Sequence, residues 1–215
     1  MPRPRSLTTA DLAAAAIAVI DRDGLPALTM RAVAKELRVA TMALYRYVTD
    51  RDHLEILVVD RVLEGVDLTL PPDTDWRARI DLLMHRMRDA VSAHPETVPL
   101  FLRHRQSATA TLRYIEATLA VLTDAGFDGR DRVIAQRAII GFLLGFLQNE
   151  HHASLRGPGT EAMARLSPHE YPLLVQTASQ AREVSPAEEF SGGVRILLRG
   201  LDPRFERTRV AQQDE

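Results

Sequence analysis

The sequence predicts an all-α protein of about ten helices, built as a small three-helix head followed by a larger helical domain. Three observations predict it. Apolar residues recur three and four apart in almost every segment, and no stretch shows the alternation of a half-buried strand. Helix starts and stops are marked by capping residues, Pro and Gly at intervals along the whole chain. The length, 215 residues with 46% apolar side chains, suffices to bury one small core and one medium core.

Taken in order, residues 9–24 form the first helix, with Leu12, Ala16, Val19 and Ile20 on one face and Asp23-Gly24 ending it. Residues 28–54 read as two short helices joined by a tight turn, then a third. Val33, Ala34 and Leu37 make one apolar stripe, and Leu44 and Val48 another. Between the second pair stand Tyr45, Arg46 and Tyr47, too polar and too large for so small a core. A helix that buries Leu44 and Val48 turns Thr41, Met42, Ala43, Arg46 and Tyr47 outward or sideways, which is a helix-turn-helix presenting its second helix to a groove. Thr29 is placed to cap the helix before it. The third helix starts at Arg51 and runs to about residue 66. The predicted domains are a helix-turn-helix head over 1–54, a larger helical domain over 55–202, and a polar tail over 203–215.

In the second domain, residues 75–93 place Trp76, Ile80, Leu83, Met84, Met87 and Val91 on one face, and residues 107–125 do the same with Leu112, Ile115, Leu119 and Leu122. Punctuation falls at Pro71-Pro72, His94-Pro95, Gly126 and Gly157-Pro158-Gly159; residues 155–166 read as a mobile loop. Ser167-Pro168-His169-Glu170 and Ser185-Pro186-Ala187-Glu188 both read as capping boxes with Pro in the first helical position, each starting a helix after its Ser. Residues 130–153 are apolar nearly all round, and 186–200 similarly so. One helix in a chain this small rarely buries every face. One face is therefore expected on the protomer's own core and another on a second subunit, with Ile139, Phe142, Leu143, Phe146, Val194, Leu197 and Leu198 at the dimer interface. A fully buried hairpin in a monomer is the alternative.

Composition removes several classes. With no Cys there is no disulfide framework, thiolate nucleophile or thiol sensor. No apolar run approaches the roughly 20 residues of a bilayer span, and the N-terminus carries no apolar leader, so a cytoplasmic location without a membrane partner is expected. Net charge is −2, yet residues 1–51 hold eight Lys/Arg against five Asp/Glu while the remainder holds 19 against 24. A basic head on an acidic body suits docking one end on phosphates.

The run Leu28-Thr29-x-Arg31-x-Val33-Ala34-x-x-Leu37-x-Val39, then Leu44-Tyr45-x-Tyr47-Val48, then Arg51-x-x-Leu54, resembles the DNA-binding head of the TetR (tetracycline-repressor-like) family. The resemblance continues more weakly through Trp76, Asp124-Ala-Gly-Phe127, Gly141-Phe-Leu-Leu-Gly145 and Ile196-Leu-Leu-Arg-Gly-Leu-Asp202, which look like the regulatory domain of the tetracycline-repressor branch. It implies a homodimeric regulator, most simply a repressor, that binds a palindromic double-stranded DNA operator and is released by a small molecule. It also implies a four-helix dimer interface, phosphate contacts near Thr29, Arg31 and Arg51, and Tyr45 nearer a phosphate with Tyr47 nearer bases. The family often carries Gly in the helix-turn-helix turn where this chain has Arg38, and a left-handed residue there costs a non-Gly side chain roughly 1–2 kcal/mol.

Arg46 is the candidate for direct readout of guanine O6 and N7; a phosphate contact or a solvated charge is the alternative. Met42 and Ala43 can touch thymine methyls, and Thr41 a base or a phosphate. Either tyrosine could instead pack within the head. Arg3 and Arg5 form an extended basic arm that either follows a groove or does nothing. Along the resemblance, Phe101, Gly141 and Asn149 stand where tetracycline's metal is held, and Leu83, Met87 and Thr118 where polar groups meet the drug, which implies no tetracycline–magnesium binding. A pocket of Leu83, Met84, Met87, Phe101, His104 and Thr118 would suit a bulky apolar or aromatic effector, although Met at helical spacing also reads as plain core. His85 and Glu150-His151-His152 are isolated, no Ser-nucleophile or phosphate-loop motif occurs, and neither a metal, a cofactor nor an enzymatic activity is expected. A helical enzyme or carrier with a vestigial head, or an adaptor whose head binds protein, would lack sequence-specific DNA affinity.

Overall fold

The computed structural model describes residues 7–201. Among these residues there are eleven α-helices and no strand: α1 (Thr9–Asp23), α2 (Met30–Glu36), α3 (Thr41–Leu44), α4 (Arg51–Leu63), α5 (Trp76–Ser92), α6 (Val98–His104), α7 (Thr109–Asp124), α8 (Gly129–His152), α9 (Pro158–Ala164), α10 (Pro172–Ala181) and α11 (Pro186–Gly200). Short 3-10 turns cover Leu25–Ala27 and Pro95–Thr97. The Arg3/Arg5 arm and the tail assigned to 203–215 lie outside the described residues. No helix of the described residues is long and apolar enough to cross a membrane.

The chain divides into two compact units, one of Met1–Pro72 with Leu82–Thr118, the other of Asp73–Asp81 with Leu119–Glu215. In the first, α1 packs along α4 and α6 packs on α4. The apolar face of α1 is fully buried at Leu12, Ala16, Val19 and Ile20, and the α4 face at Leu54, Val58 and Val59. Thr8 and Asp11 close a capping box that starts α1, and Gly24, at φ 80°, ends it in a conformation that a Cβ would disfavour. Asp21 Oδ2 lies 2.8 Å from His94 Nδ1, tying the end of α1 to the turn before α6.

In the second unit, Phe142, Phe146 and Phe190 form an aromatic cluster between α8 and α11, with centroids 4.8–6.2 Å apart. A Cβ at Gly193 would come within 2.5 Å of Phe142 Cζ, so the ring needs bare backbone on α11 there. Arg77 Nε and Nη2 donate to the carbonyls of Leu198 (3.0 Å) and Leu201 (3.2 Å), satisfying the acceptors left at the end of α11, while its guanidinium lies 4.4 Å over the Trp76 ring. Ser185 and Glu188 form the capping box that the sequence predicts for α11.

Two expectations fail here. Residues 155–166 are not a loop throughout: Gly157-Pro158, which reads as loop punctuation, opens α9 with Pro in its first turn. Ser167 does not start a helix either. Its carbonyl accepts from Glu170 and Tyr171 for a single turn, and the chain then leaves helical geometry at Tyr171 (ψ 56°) because Pro172 follows, so α10 begins at Pro172.

Candidate nucleic-acid interface

The head is built as a helix-turn-helix. Thr29 Oγ1 accepts from the Ala32 amide at 3.0 Å and caps α2. Val33 and Ala34 are buried and Leu37 half-buried. The turn then passes through Arg38 at φ 57°, the sole non-glycine positive φ among the described residues. Leu44 and Val48 are buried, as their spacing requires. The second helix is short, one α-turn over Thr41–Leu44 continued by the Tyr47 and Val48 amides donating to the Leu44 carbonyl (2.9 and 3.1 Å).

The predicted contact residues fall on one exposed stretch. Met42 is 74% exposed and Tyr45 47%. Arg31 and Arg46 are exposed, and Thr41, Ala43 and Tyr47 partly so. Around them lie Lys35 and Arg38, also exposed. None of Arg31, Lys35, Arg38 and Arg46 pairs with a carboxylate among the described residues, whereas nearby Arg22 is committed to Asp23 and Glu36. Four uncompensated cations beside two large exposed side chains form a surface suited to phosphates and base edges.

Arg51 behaves differently. It follows Asp50, whose side chain caps α4 by accepting from the His53 amide at 2.8 Å and whose carboxyl that bond holds below its usual range. Arg51 Nε donates to Glu55 Oε1 (2.8 Å), and Glu55 Oε2 accepts from Arg103 Nη1 (2.7 Å) and lies 2.8 Å from His104 Nε2. Glu55 is fully buried. Burial pushes its carboxyl up, but the bonds from His104, Arg51 and Arg103 together outweigh burial and hold it below the ordinary carboxylate range. Sequence reasoning missed this residue. Its signal was a Glu four residues after an Arg, on the same helical face as Val58, Val59 and Val62. Asp52, Glu55 and His104 also bring donor atoms within 4.8 Å of one another, but two guanidinium groups on the same carboxylate neutralise what would attract a cation.

The predicted effector residues Leu83, Met84, Met87, Phe101, His104 and Thr118 are all buried in the first unit. His104 lies against Glu55, Thr118 Oγ1 donates to the Tyr114 carbonyl (2.9 Å), and Met87 lines a cavity of about 320 Å³ between α1, α4 and α7. Of the predicted interface residues, Ile139, Leu143, Phe146, Val194 and Leu198 are buried within the second unit, and Phe142 and Leu197 are half-buried. The most apolar face of each helix is the one that packs on the protomer's own core. The outward face of α8 carries Val133, Ile134, Gly141 and Gly145, and that of α11 carries Ile196, 75% exposed. A Cβ at Gly141 or Gly145 would meet nothing within 4 Å.

Comparison with known proteins decides the family. The model described as bacterial regulatory proteins, tetR family, matches residues 6–54, and the one described as tetracyclin repressor-like, C-terminal domain, matches 68–205. The chain belongs to the TetR family of transcriptional regulators. An HTH-type transcriptional regulator of Saccharopolyspora erythraea is 30% identical over 69% of this chain, an alignment that spans 63% of that relative's own length. The tetracycline repressor protein class D of Escherichia coli is 30% identical over 87% of this chain and 86% of its own. Among solved structures, a possible TetR family transcriptional regulator from Streptomyces coelicolor A3(2) superposes with a TM-score of 0.80 at 29% identity, covering 90% of this chain and 98% of that one.

Proposed function

We propose that this TetR-family chain is a repressor that binds a palindromic DNA operator as a homodimer and is released from it by a small apolar or aromatic molecule. The observation that carries the reading is the exposed stretch of the head, where Arg31, Lys35, Arg38 and Arg46 stand without a carboxylate partner among the described residues, beside Met42 and Tyr45. Phosphate contacts supply affinity, Arg46 supplies base readout, and Thr29 keeps its hydroxyl at the exposed cap of α2. Arg51 offers a phosphate only the part of its guanidinium that Glu55 leaves free.

Two-fold operators need recognition helices about 34–36 Å apart, hence two heads. The open glycines of α8 and the exposed Val133, Ile134 and Ile196 are the surface on which a second copy would pack. The protein acts by binding and not by turnover, with release following from an effector that favours a head spacing unlike that of adjacent major grooves.

Selection of bound duplexes from a random DNA pool tests this, run in parallel with Arg46→Ala. The expected result is an enriched palindrome whose consensus relaxes at one symmetric base pair in the variant. No enrichment at low salt overturns the reading.

A further inference from the structure

Sulfur is scarce in this chain, which has no cysteine and six methionines among its 215 residues. Five of the methionines are described, and packing separates them. Met84 and Met87 are buried, and Met30 is half-buried at the start of α2. Met163 of α9 is 38% exposed, whereas Met42 is 74% exposed. The Met42 thioether is the most accessible sulfur among the described residues, and the chain has no thiol to intercept an oxidant first. Met42 also stands where a change of polarity has most effect. It is the second residue of α3, between Thr41 and Ala43, on the exposed stretch that carries Tyr45 and Arg46.

A thioether is soft and apolar, and its flexible chain can follow thymine methyls along a major groove. Its sulfoxide is polar, accepts hydrogen bonds and donates none. Phosphate oxygens and the N7, O6 and O4 atoms of base edges are acceptors as well. A sulfoxide pressed against them loses its water without gaining a donor, which weakens docking.

We propose that Met42 is a modification site through which peroxides release the protein from DNA. The sulfur lone pair attacks one peroxide oxygen. An S–O bond forms as the O–O bond breaks, and the departing hydroxide takes the proton shed by the transferred oxygen, leaving water. Sulfur is oxidised by two electrons and the peroxide is reduced by two. Methionine sulfoxide reductases reverse the step. The linkage is reciprocal: a duplex lying over Met42 shields its sulfur, so peroxide acts on the dissociated protein. The effect on DNA rests on the reading of the head as a DNA-binding surface; the reactivity of the sulfur does not.

The probe is hydrogen peroxide, titrated onto the full chain. Peptide mapping by mass spectrometry and affinity for the selected operator are read on the same samples. Residue 42 is expected to gain its oxygen before Met163, Met30, Met84 and Met87. Operator affinity should fall about 10-fold or more in step with it, while circular dichroism stays unchanged because the core methionines are spared. Bound operator should slow oxidation of Met42 and not of Met163, and reductase treatment should restore affinity. Met42→Leu, judged against its own untreated affinity, should no longer respond to peroxide. Met163→Leu should respond as the wild type does. Oxidation of Met163 ahead of Met42, or a peroxide response that survives Met42→Leu, overturns the site. An operator bound equally well before and after residue 42 is oxidised overturns the switch alone, whereas a selection that yields no operator overturns the DNA reading and the switch together.

Discussion

Replacing Glu55 by Gln preserves shape and removes the buried charge that joins α4 to α6. The magnitude follows from its partners. His104 is buried, with a side chain 8% exposed, and a hydrogen bond to a charged group is worth about 1.5–3 kcal/mol. Arg51 and Arg103 are 45% and 52% exposed, so solvent screening limits each pair to roughly 0.2–1 kcal/mol. The expected loss is about 3 kcal/mol, near the lower end of what breaking a buried pair costs. Denaturant unfolding at neutral pH measures it. The pH dependence is the sharper check. The folded carboxyl titrates below its ordinary value of 4.5, so its contribution is fully present above that value and lost as pH falls through the lower folded one. The stability gap between wild type and Glu55→Gln should therefore hold steady down to about pH 5 and close below it. A loss under about 1 kcal/mol, or a gap that persists unchanged to pH 3, would refute the view that Glu55 is held as a carboxylate by its three donors.

Three further outcomes are expected. Arg31→Ala should weaken binding to all duplexes alike and lower the slope of log affinity against log salt by about 1, as one lost phosphate contact does; a sequence-dependent loss would place Arg31 on bases. Gly193→Ala should destabilise by about 1–3 kcal/mol in thermal unfolding, since a Cβ there meets the Phe142 ring at 2.5 Å; an unchanged melting temperature would show that the ring has room to swing aside. Ile134→Glu with Ile196→Glu, both at exposed positions, should leave the helical content intact and yield a monomer in sedimentation, and a dimer that survives both charges would put the second copy elsewhere.

The elements that could be read from the chain are those governed by local chemistry. Leu12, Ala16, Val19 and Ile20 recur at helical spacing and are buried, and Ser185 with Glu188 starts α11 because a capping box needs nothing beyond four consecutive residues. The left-handed turn at Arg38 is likewise where the helix-turn-helix pattern demands it. What escaped is decided by tertiary partners or by competition between local signals. The Ser167 box is sound by itself and is overruled by a proline five residues on. Apolar residues on α8 do not announce which face meets the protomer's own core, and the exposed glycines become informative only when the space around them is known. Glu55 becomes visible as a buried anion only once α6 brings Arg103 and His104 to it. Helical spacing and the family resemblance place Leu83, Met84, Met87, Phe101, His104 and Thr118 in the interior, and all six are buried, but neither signal reports where packing leaves space.

The left-handed Arg38 sets two selective pressures against each other. Glycine at this position would relieve roughly 1–2 kcal/mol of backbone cost, yet it would delete one of the exposed cations that have no carboxylate partner among the described residues. Directed evolution under heat alone would be drawn toward Arg38→Gly and deliver a hardier head with a looser grip on DNA. Selection for retention on DNA would hold the arginine and forgo that stability, so the residue that survives at position 38 reports which demand was applied.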